Sequence, residues 1–248
     1  MIGILDVGAG IRAVLGAIYP PHCLSCNAIV GTDGGLCGSC WRDTPFVTGL
    51  VCDCCGAPLP GDDPGGVVMC DDCLNVERPW TRGRAAMAYR DNARRLVLRF
   101  KHGDRTEMAP ALAEWLAGAG QEIIEPGMLV APVPLHWRRL FSRRYNQAAL
   151  LSEALARRMA LPSCPDLLLR RRFTGSQGGK SHDQRFANIA SAIVVNPRRM
   201  SLLSDARVLL VDDVMTSGAT FAACAEAIVS AGAKEVRVLA LARVAKDD

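Results

Sequence analysis

Aromatic side chains are scarce in this chain, at 5% of 248 residues. A groove that holds single-stranded nucleic acid by stacking bases on rings has little to work with. Phe100, Trp137, Phe141, Tyr145 and Phe173 lie near basic residues, but core packing is the simpler use for them. Histidine is equally rare, at four residues, and only residue type makes His136 and His182 acid/base candidates. No apolar run reaches the ~18–20 uninterrupted residues of a membrane span. The opening stretch, MIGILDVGAGIRAVLGAIYPPHC, is broken by Asp6 and Arg12 and lacks the charged start and cleavage site of a secretory signal. It reads as a short amphipathic helix packing on the next module, and the expected compartment is the cytoplasm. Basic residues are scarce in the first 75 positions, which hold 2 against 8 acidic ones.

The remainder, residues 76–248, carries 27 basic and 17 acidic side chains. That balance gives a cationic surface suited to a phosphate-bearing partner. The length is enough for one substantial domain and a small one.

Cysteine is abundant and concentrated. Nine of the 11 fall within residues 23–73, and eight form C-x-x-C pairs: Cys23/Cys26, Cys37/Cys40, Cys52/Cys55 and Cys70/Cys73. Each pair turns two thiolates inward from one tight knuckle, and two knuckles complete a tetrahedral shell around Zn2+. Neighbouring knuckles are expected to pair, giving Cys23, Cys26, Cys37 and Cys40 around one ion and Cys52, Cys55, Cys70 and Cys73 around another. A crossed pairing is the alternative. A disulfide framework would need an oxidising compartment. Four thiolates leave no open coordination position, so two structural zinc ions are expected. Cys54 is a spare thiol, His22 is not required, and Cys164 and Cys224 read as packed small side chains.

Residues 74–83 read as a linker or hinge. Beyond it strand and helix patterns alternate: strand 84–89, helices 91–104 and 106–118, strand 128–134, helix 148–159, strand 208–211, helix 218–232 with Gly232 just past its end, and strand 235–244. Such alternation gives an α/β fold with an open, mainly parallel sheet. The basic, glycine-containing segment 170–188 reads as a long mobile loop. The expected domains are 1–76, a helix and two four-cysteine units, and 84–248, the α/β domain.

The stretch VLLVDDVMTSGAT, residues 208–220, joins an apolar strand to a helix. Ligands in such sheets bind beyond the carboxyl ends of the strands. Thr216, Ser217, Gly218, Ala219 and Thr220 would wrap the N-terminus of the following helix with free N–H groups and hydroxyls, a cradle for phosphate. Asp212 and Asp213 cannot hold phosphate; sugar hydroxyls or a bound Mg2+ suit them. A 5-phosphorylated ribose offers both features.

VLLVDDVMTSGAT resembles the phosphoribosyl-pyrophosphate (PRPP) loop of type I phosphoribosyltransferases. The resemblance implies that Asp212 and Asp213 contact ribose hydroxyls as the catalytic pair, while Val214, Met215 and Thr216 through Thr220 bind PRPP. Ser217 stands where a second Thr is common. Thr216 stands where hypoxanthine/guanine enzymes carry Asp. Cysteine knuckles ahead of such a domain resemble the ComF family, linked to competence and DNA uptake. The likeness extends through LRFKHGD, APVPLHWRR, SRRYNQA and TGSQGGKSHDQRFANI. The family's Arg-Gly-Phe-Asn-Gln run reads Arg143-Arg144-Tyr145-Asn146-Gln147 here.

The resemblance implies a type I phosphoribosyltransferase-like sheet preceded by a double zinc ribbon. It implies a pyrophosphate and flexible-loop set comprising Lys101, Arg138, Arg139, Asn146, Gln147, Gln177, Lys180, Arg185 and Asn188. It further implies Mg2+ with PRPP, and displacement of pyrophosphate at the anomeric carbon. Single-stranded DNA and DNA-uptake or recombination proteins are the implied partners. A non-catalytic adaptor for single-stranded DNA and a nucleotide-salvage enzyme are the other two functions this pattern allows.

Overall fold

The computed structural model describes residues 20–102, 105–135, 145–171 and 192–244. Most of the expected N-terminal helix and of the 170–188 loop fall outside them. So do Arg138, Arg139, Gln177, Lys180, Arg185 and Asn188.

The cysteine-rich part contains two one-turn helices, α1 (Gly38–Arg42) and α2 (Asp71–Asn75). Cys37 and Cys70 occupy their N-cap positions, so each helix starts inside a knuckle. The α/β part follows in the order β1 (Arg82–Ala88), α3 (Asp91–His102), α4 (Ala109–Ala119), β2 (Leu129–Pro132), α5 (Gln147–Met159), β3 (Leu168–Arg170), β4 (Ile193–Val195), β5 (Arg207–Met215), α6 (Ala219–Ser230) and β6 (Glu235–Arg243). Four strands form one parallel sheet in the order β1-β6-β5-β2. β3 and β4 form a separate antiparallel pair.

Both faces of the sheet are covered, which explains why β5 and β6 are nearly continuous apolar runs. On one face α3, α4 and α5 bury Leu96, Phe100, Leu112, Leu116, Leu151 and Leu155 against Val130, Leu209, Val211, Leu239 and Leu241. On the other, α6 packs Phe221, Ala225 and Ile228 against Val208, Leu210, Val238 and Ala240. The four-cysteine units join these same cores. Leu24, from the first knuckle, belongs to the α3–α5 side, whereas Cys52, Cys54, Cys55 and Cys73 are buried on the α6 side. Residues 45–53 run along β1: Val47 donates to the Ala86 carbonyl, Ala88 to Pro45 and Gly83 to Asp53. An edge strand that would otherwise offer unpaired backbone groups is thereby covered.

Four expectations need correction. The strand at 208–211 continues through the acidic pair to Met215, because its ladder with β6 persists, pairing Asp212 with Ala240 and Met215 with Arg243. Residues 74–83 are not a free hinge: Trp80 is 5% exposed and its indole N–H donates to the Cys54 carbonyl at 2.6 Å. The helix expected over 106–118 is a 3-10 turn, Thr106–Met108, followed by α4, whose first turn contains Pro110. Proline fits there because the N–H it lacks has no partner inside the helix. The β3–β4 pair was not anticipated, since three-residue strands carry too little periodicity to be recognised.

Candidate functional site

The two four-cysteine units have the geometry of metal centres. Within Cys23, Cys26, Cys37, Cys40 and within Cys52, Cys55, Cys70, Cys73, the sulfurs all lie within 4.8 Å of one another. Neighbouring knuckles therefore pair, and the crossed arrangement is not formed. The edge of a tetrahedron with Zn–S bonds of ~2.3 Å is about 3.8 Å. The Cys26–Cys37 and Cys55–Cys70 sulfur separations are 3.5 and 3.7 Å, far beyond a disulfide bond. Backbone bonds shape each knuckle: Asn27 N–H donates to Cys23 O, and Gly56 N–H to Cys52 O. A hydrogen bond from the Cys55 thiol favours the Cys52 thiolate and brings its pKa down to about 4, while Cys55 is pushed up. The donor set fits two structural zinc ions.

The acidic pair lies elsewhere, at the carboxyl end of β5. Asp212, Asp213, Val214, Thr216 and Thr220 share a cavity of about 310 Å³ with Lys101, Val133, Pro134, Asn146, Gln147 and Arg170. The carboxyl ends of β2 and β5 form its floor, and α6 begins beside it. Asp213 is 8% exposed, and Lys101 Nζ sits 3.0 Å from its Oδ1. Asp212 Oδ1 accepts the Asp213 N–H at 2.8 Å. Burial, then the neighbouring Asp213 charge, pushes the Asp212 carboxyl up to about 8, against the opposing pull of Lys101 and Arg170. The pair thus consists of one carboxylate held by a lysine and one that readily keeps its proton.

The turn that follows is built from backbone. Gly218 has φ +79°, a left-handed conformation that suits glycine, and it caps α6. Ser217 Oγ accepts the Ala219 N–H at 3.5 Å. Met215 and Ala219 direct their side chains into the α6-side core, so they serve the turn through their backbones.

Asn146 and Gln147 have a structural share. Asn146 caps α5 by accepting the Ala148 N–H and donates to Val133 O at 3.3 Å. Gln147 Nε2 donates to Lys101 O at 3.3 Å, and Tyr145 Oη donates to Phe100 O at 2.8 Å. The segment thereby fastens the end of α3, and with it Lys101, to the end of β2. Three sequence signatures far apart in the chain (FKH, APVP and YNQ) converge on one sheet edge.

Residues 14–74 match the double zinc ribbon domain model, and residues 146–247 match the phosphoribosyl transferase domain model. The chain is 32% identical over 219 residues to DNA utilization protein YhgH of Salmonella typhi, covering 84% of this chain and 90% of that one. It is 29% identical to Competence protein F of Haemophilus influenzae, over 90% of this chain and 96% of that protein. With Competence protein ComFC of Bacillus subtilis it shares 25% identity, over 88% and 92%. The chain belongs to the ComF family.

In this ComF protein the cavity also contains residues that sequence reading missed. Arg170, at the end of β3, and Tyr89, just past β1, line it. Neither stands in a motif. Arg243 and Arg78 hold the turn from behind, as described below. The parallel register of β5 with β6 places Arg243 beside Met215, a clue available once both strands are read as ending at the same edge.

Proposed function

We propose that this ComF protein binds PRPP at the Asp212/Asp213 cavity and, with Mg2+, transfers its phosphoribosyl group to an acceptor in the handling of incoming DNA. One observation carries this reading: a two-carboxylate pair, a lysine and a glycine-capped helix N-terminus meet in one cavity at the carboxyl ends of β2 and β5. The turn 216–220 offers N–H groups and hydroxyls to the 5-phosphate. Asp212 and Asp213 accept hydrogen bonds from the ribose 2- and 3-hydroxyls. Lys101 and Arg170 bring positive charge to the side where pyrophosphate departs.

The acceptor forms a bond to the anomeric carbon as the bond to the pyrophosphate oxygen breaks, and pyrophosphate leaves with the electron pair. Mg2+, when bound, supplies charge that the two described cations do not provide alone for a ligand with three phosphate groups. The chain's own part is to hold sugar and leaving group in line. In this reading Arg138 and Arg139 hold the leaving pyrophosphate, and Gln177, Lys180, Arg185 and Asn188 belong to the loop expected to close over the ligand and exclude water. The ribbon, 1–76, is a structural unit, and 84–248 is the transferase-like domain. The names of the relatives point to competence and DNA utilization. Single-stranded DNA and DNA-uptake proteins are accordingly the partners, and the cytoplasm the compartment, that go with this reading.

The test is calorimetric titration of the zinc-loaded protein with PRPP and Mg2+, beside the Asp212→Asn/Asp213→Asn variant. Binding lost in the variant supports the reading. No binding by well-folded wild type would leave the cavity as inherited scaffold. Salt-sensitive binding of single-stranded DNA that ignores the double substitution would then favour an adaptor.

A further inference from the structure

The backbone of the turn is held from outside by two arginines, neither of which belongs to the cavity. Arg243, 4% exposed at the end of β6, directs Nη1 to the carbonyls of Met215 and Val244, at 3.3 and 2.6 Å, and also to that of Thr216. Its Nη2 points the other way, 3.8 Å from Cys55 Sγ in the second four-cysteine centre. Its Nε is buried with no partner among the described residues. Arg78, from the stretch between ribbon and sheet, donates Nη1 to Ser217 O at 3.0 Å. Its guanidinium lies over the Trp80 ring, 5.5 Å from the centroid, and Trp80 is hydrogen-bonded to Cys54 O beside a ligand of that centre. Three consecutive carbonyls, Met215, Thr216 and Ser217, therefore end on arginines tied to the second ribbon, Arg243 directly at Cys55 and Arg78 through Trp80.

We propose that Arg243 and Arg78 are positioning residues that link the second four-cysteine centre to the turn 215–218, so that filling that centre sets the conformation of the phosphate cradle. This rests on the reading of the cavity as a phosphosugar site. In a planar trans peptide the carbonyl and the next N–H point in opposite directions. Fixing the carbonyls of Met215, Thr216 and Ser217 on the ribbon side turns the N–H groups of Thr216, Ser217 and Gly218 to the opposite side, where an anion is to be bound. The guanidinium charge is permanent, and burying it requires an anionic or strongly accepting neighbour. Four thiolates around one Zn2+ leave a net negative charge. The filled centre offers that neighbour through Cys55 beside Nη2, which leaves Nη1 for the carbonyls of Met215, Thr216 and Val244. Gly218 belongs to the same device: its φ of +79° disfavours any side chain, and a Cβ there would lie 3.2 Å from both Arg78 Nη1 and Trp80 Cη2, crowding the arginine that reaches Ser217.

The experiment uses the full zinc-loaded chain and reads zinc content, hydrogen–deuterium exchange over residues 214–220, and PRPP affinity. Arg78→Met and Arg243→Met are expected to speed exchange over 214–220 by about tenfold and to weaken PRPP by about as much, the loss expected for a hydrogen bond to a charged group. Zinc content and exchange in β1 and β2 stay unchanged. Cys70→Ser, in the second centre, reproduces the faster exchange, whereas Cys37→Ser, in the first, does not. Combining Cys70→Ser with Arg243→Met gives no more than the larger single effect, because the two act through one chain of contacts.

Exchange over 214–220 that is unaltered in both arginine variants, or altered equally by the two cysteine variants, overturns the proposal. If Arg243→Met does not fold, Arg78→Met decides, since that side chain is only half-buried. The described exchange pattern in a wild type that takes up no PRPP would keep the link and reject the ligand. PRPP binding that is indifferent to both arginines, with exchange unaltered, would do the reverse.

Discussion

Asp212 is the residue whose chemistry depends most on its surroundings. Its carboxyl, pushed up to about 8 by burial and by Asp213, holds its proton more tightly in the folded chain than in the unfolded one. Stability therefore falls as pH rises from the ordinary carboxyl range towards 8, and levels off above it. Relative to Asp212→Asn, which keeps the neutral shape, wild type should lose melting temperature across that interval; parallel curves would show an unshifted carboxyl. PRPP needs the carboxylate form to accept ribose hydroxyls, so its affinity should climb with pH up to about 8 and flatten in Asp212→Asn. Gly218 is the second residue with a sharp expectation. Its φ of +79° strains any residue with a side chain, and Arg78 and Trp80 would stand 3.2 Å from an added Cβ; Gly218→Ala should lose about 1–3 kcal/mol of unfolding free energy in urea. Both positions were legible in the sequence, Asp212 as half of an acidic pair and Gly218 as the glycine opening a helix. The proton held by Asp212 was not, because it rests on burial in the folded chain, against the opposing pull of Lys101 and Arg170 from other elements.

At the scale of elements, two of the contacts that join the ribbon to the α/β part carry a sharp expectation. The first is close backbone approach: a Cβ on Gly83 of β1 would lie 2.4 Å from the Cys54 carbonyl oxygen. Gly83→Ala must push the second knuckle off the strand, and a cost of about 1–3 kcal/mol is expected in chemical denaturation, as for other overpacked interiors. The second is Asn92 near the start of α3, 4% exposed. Its Nδ2 donates to Cys40 O at 3.0 Å and to Thr44 Oγ1 at 2.8 Å, and its Oδ1 accepts from Ser25 Oγ. Asn92→Ala removes all three bonds, although Thr44 Oγ1 still donates to Cys40 O at 2.6 Å, and should cost about 1–3 kcal/mol, with the first centre still holding its metal by elemental analysis. Periodicity revealed α3, α5 and α6 because each buries one face, and the long strands stood out as apolar runs because the sheet is covered on both faces. It missed β3 and β4 for shortness, and it ended β5 too early because two acids looked like a strand terminus. A parallel ladder continues past polar residues wherever the neighbouring strand supplies the partners.

At the scale of the molecule, the second four-cysteine centre is part of the same buried cluster as α6 and the sheet. The ribbon and the α/β domain should therefore melt in one calorimetric transition, which a chelator moves to lower temperature as a whole. Two separable transitions would show that the ribbon is an independent appendage. Cys55, 1% exposed, should matter more to that transition than the exposed Cys26. What the sequence alone determined is the chemistry written in neighbouring residues: four C-x-x-C knuckles, an acidic pair running into a glycine-capped turn, and the alternation that makes a parallel sheet. Such features rest on spacings of a few residues, where chain geometry itself dictates which groups can meet. Only the tertiary structure decided that Lys101 faces Asp213, that Asn146 and Gln147 fasten α3 to β2, and that Arg78 and Arg243 tie the turn to the ribbon. Those last contacts span 139 and 188 positions of chain. No local pattern records such pairings, because they follow from how the packed faces of the sheet bring distant side chains together.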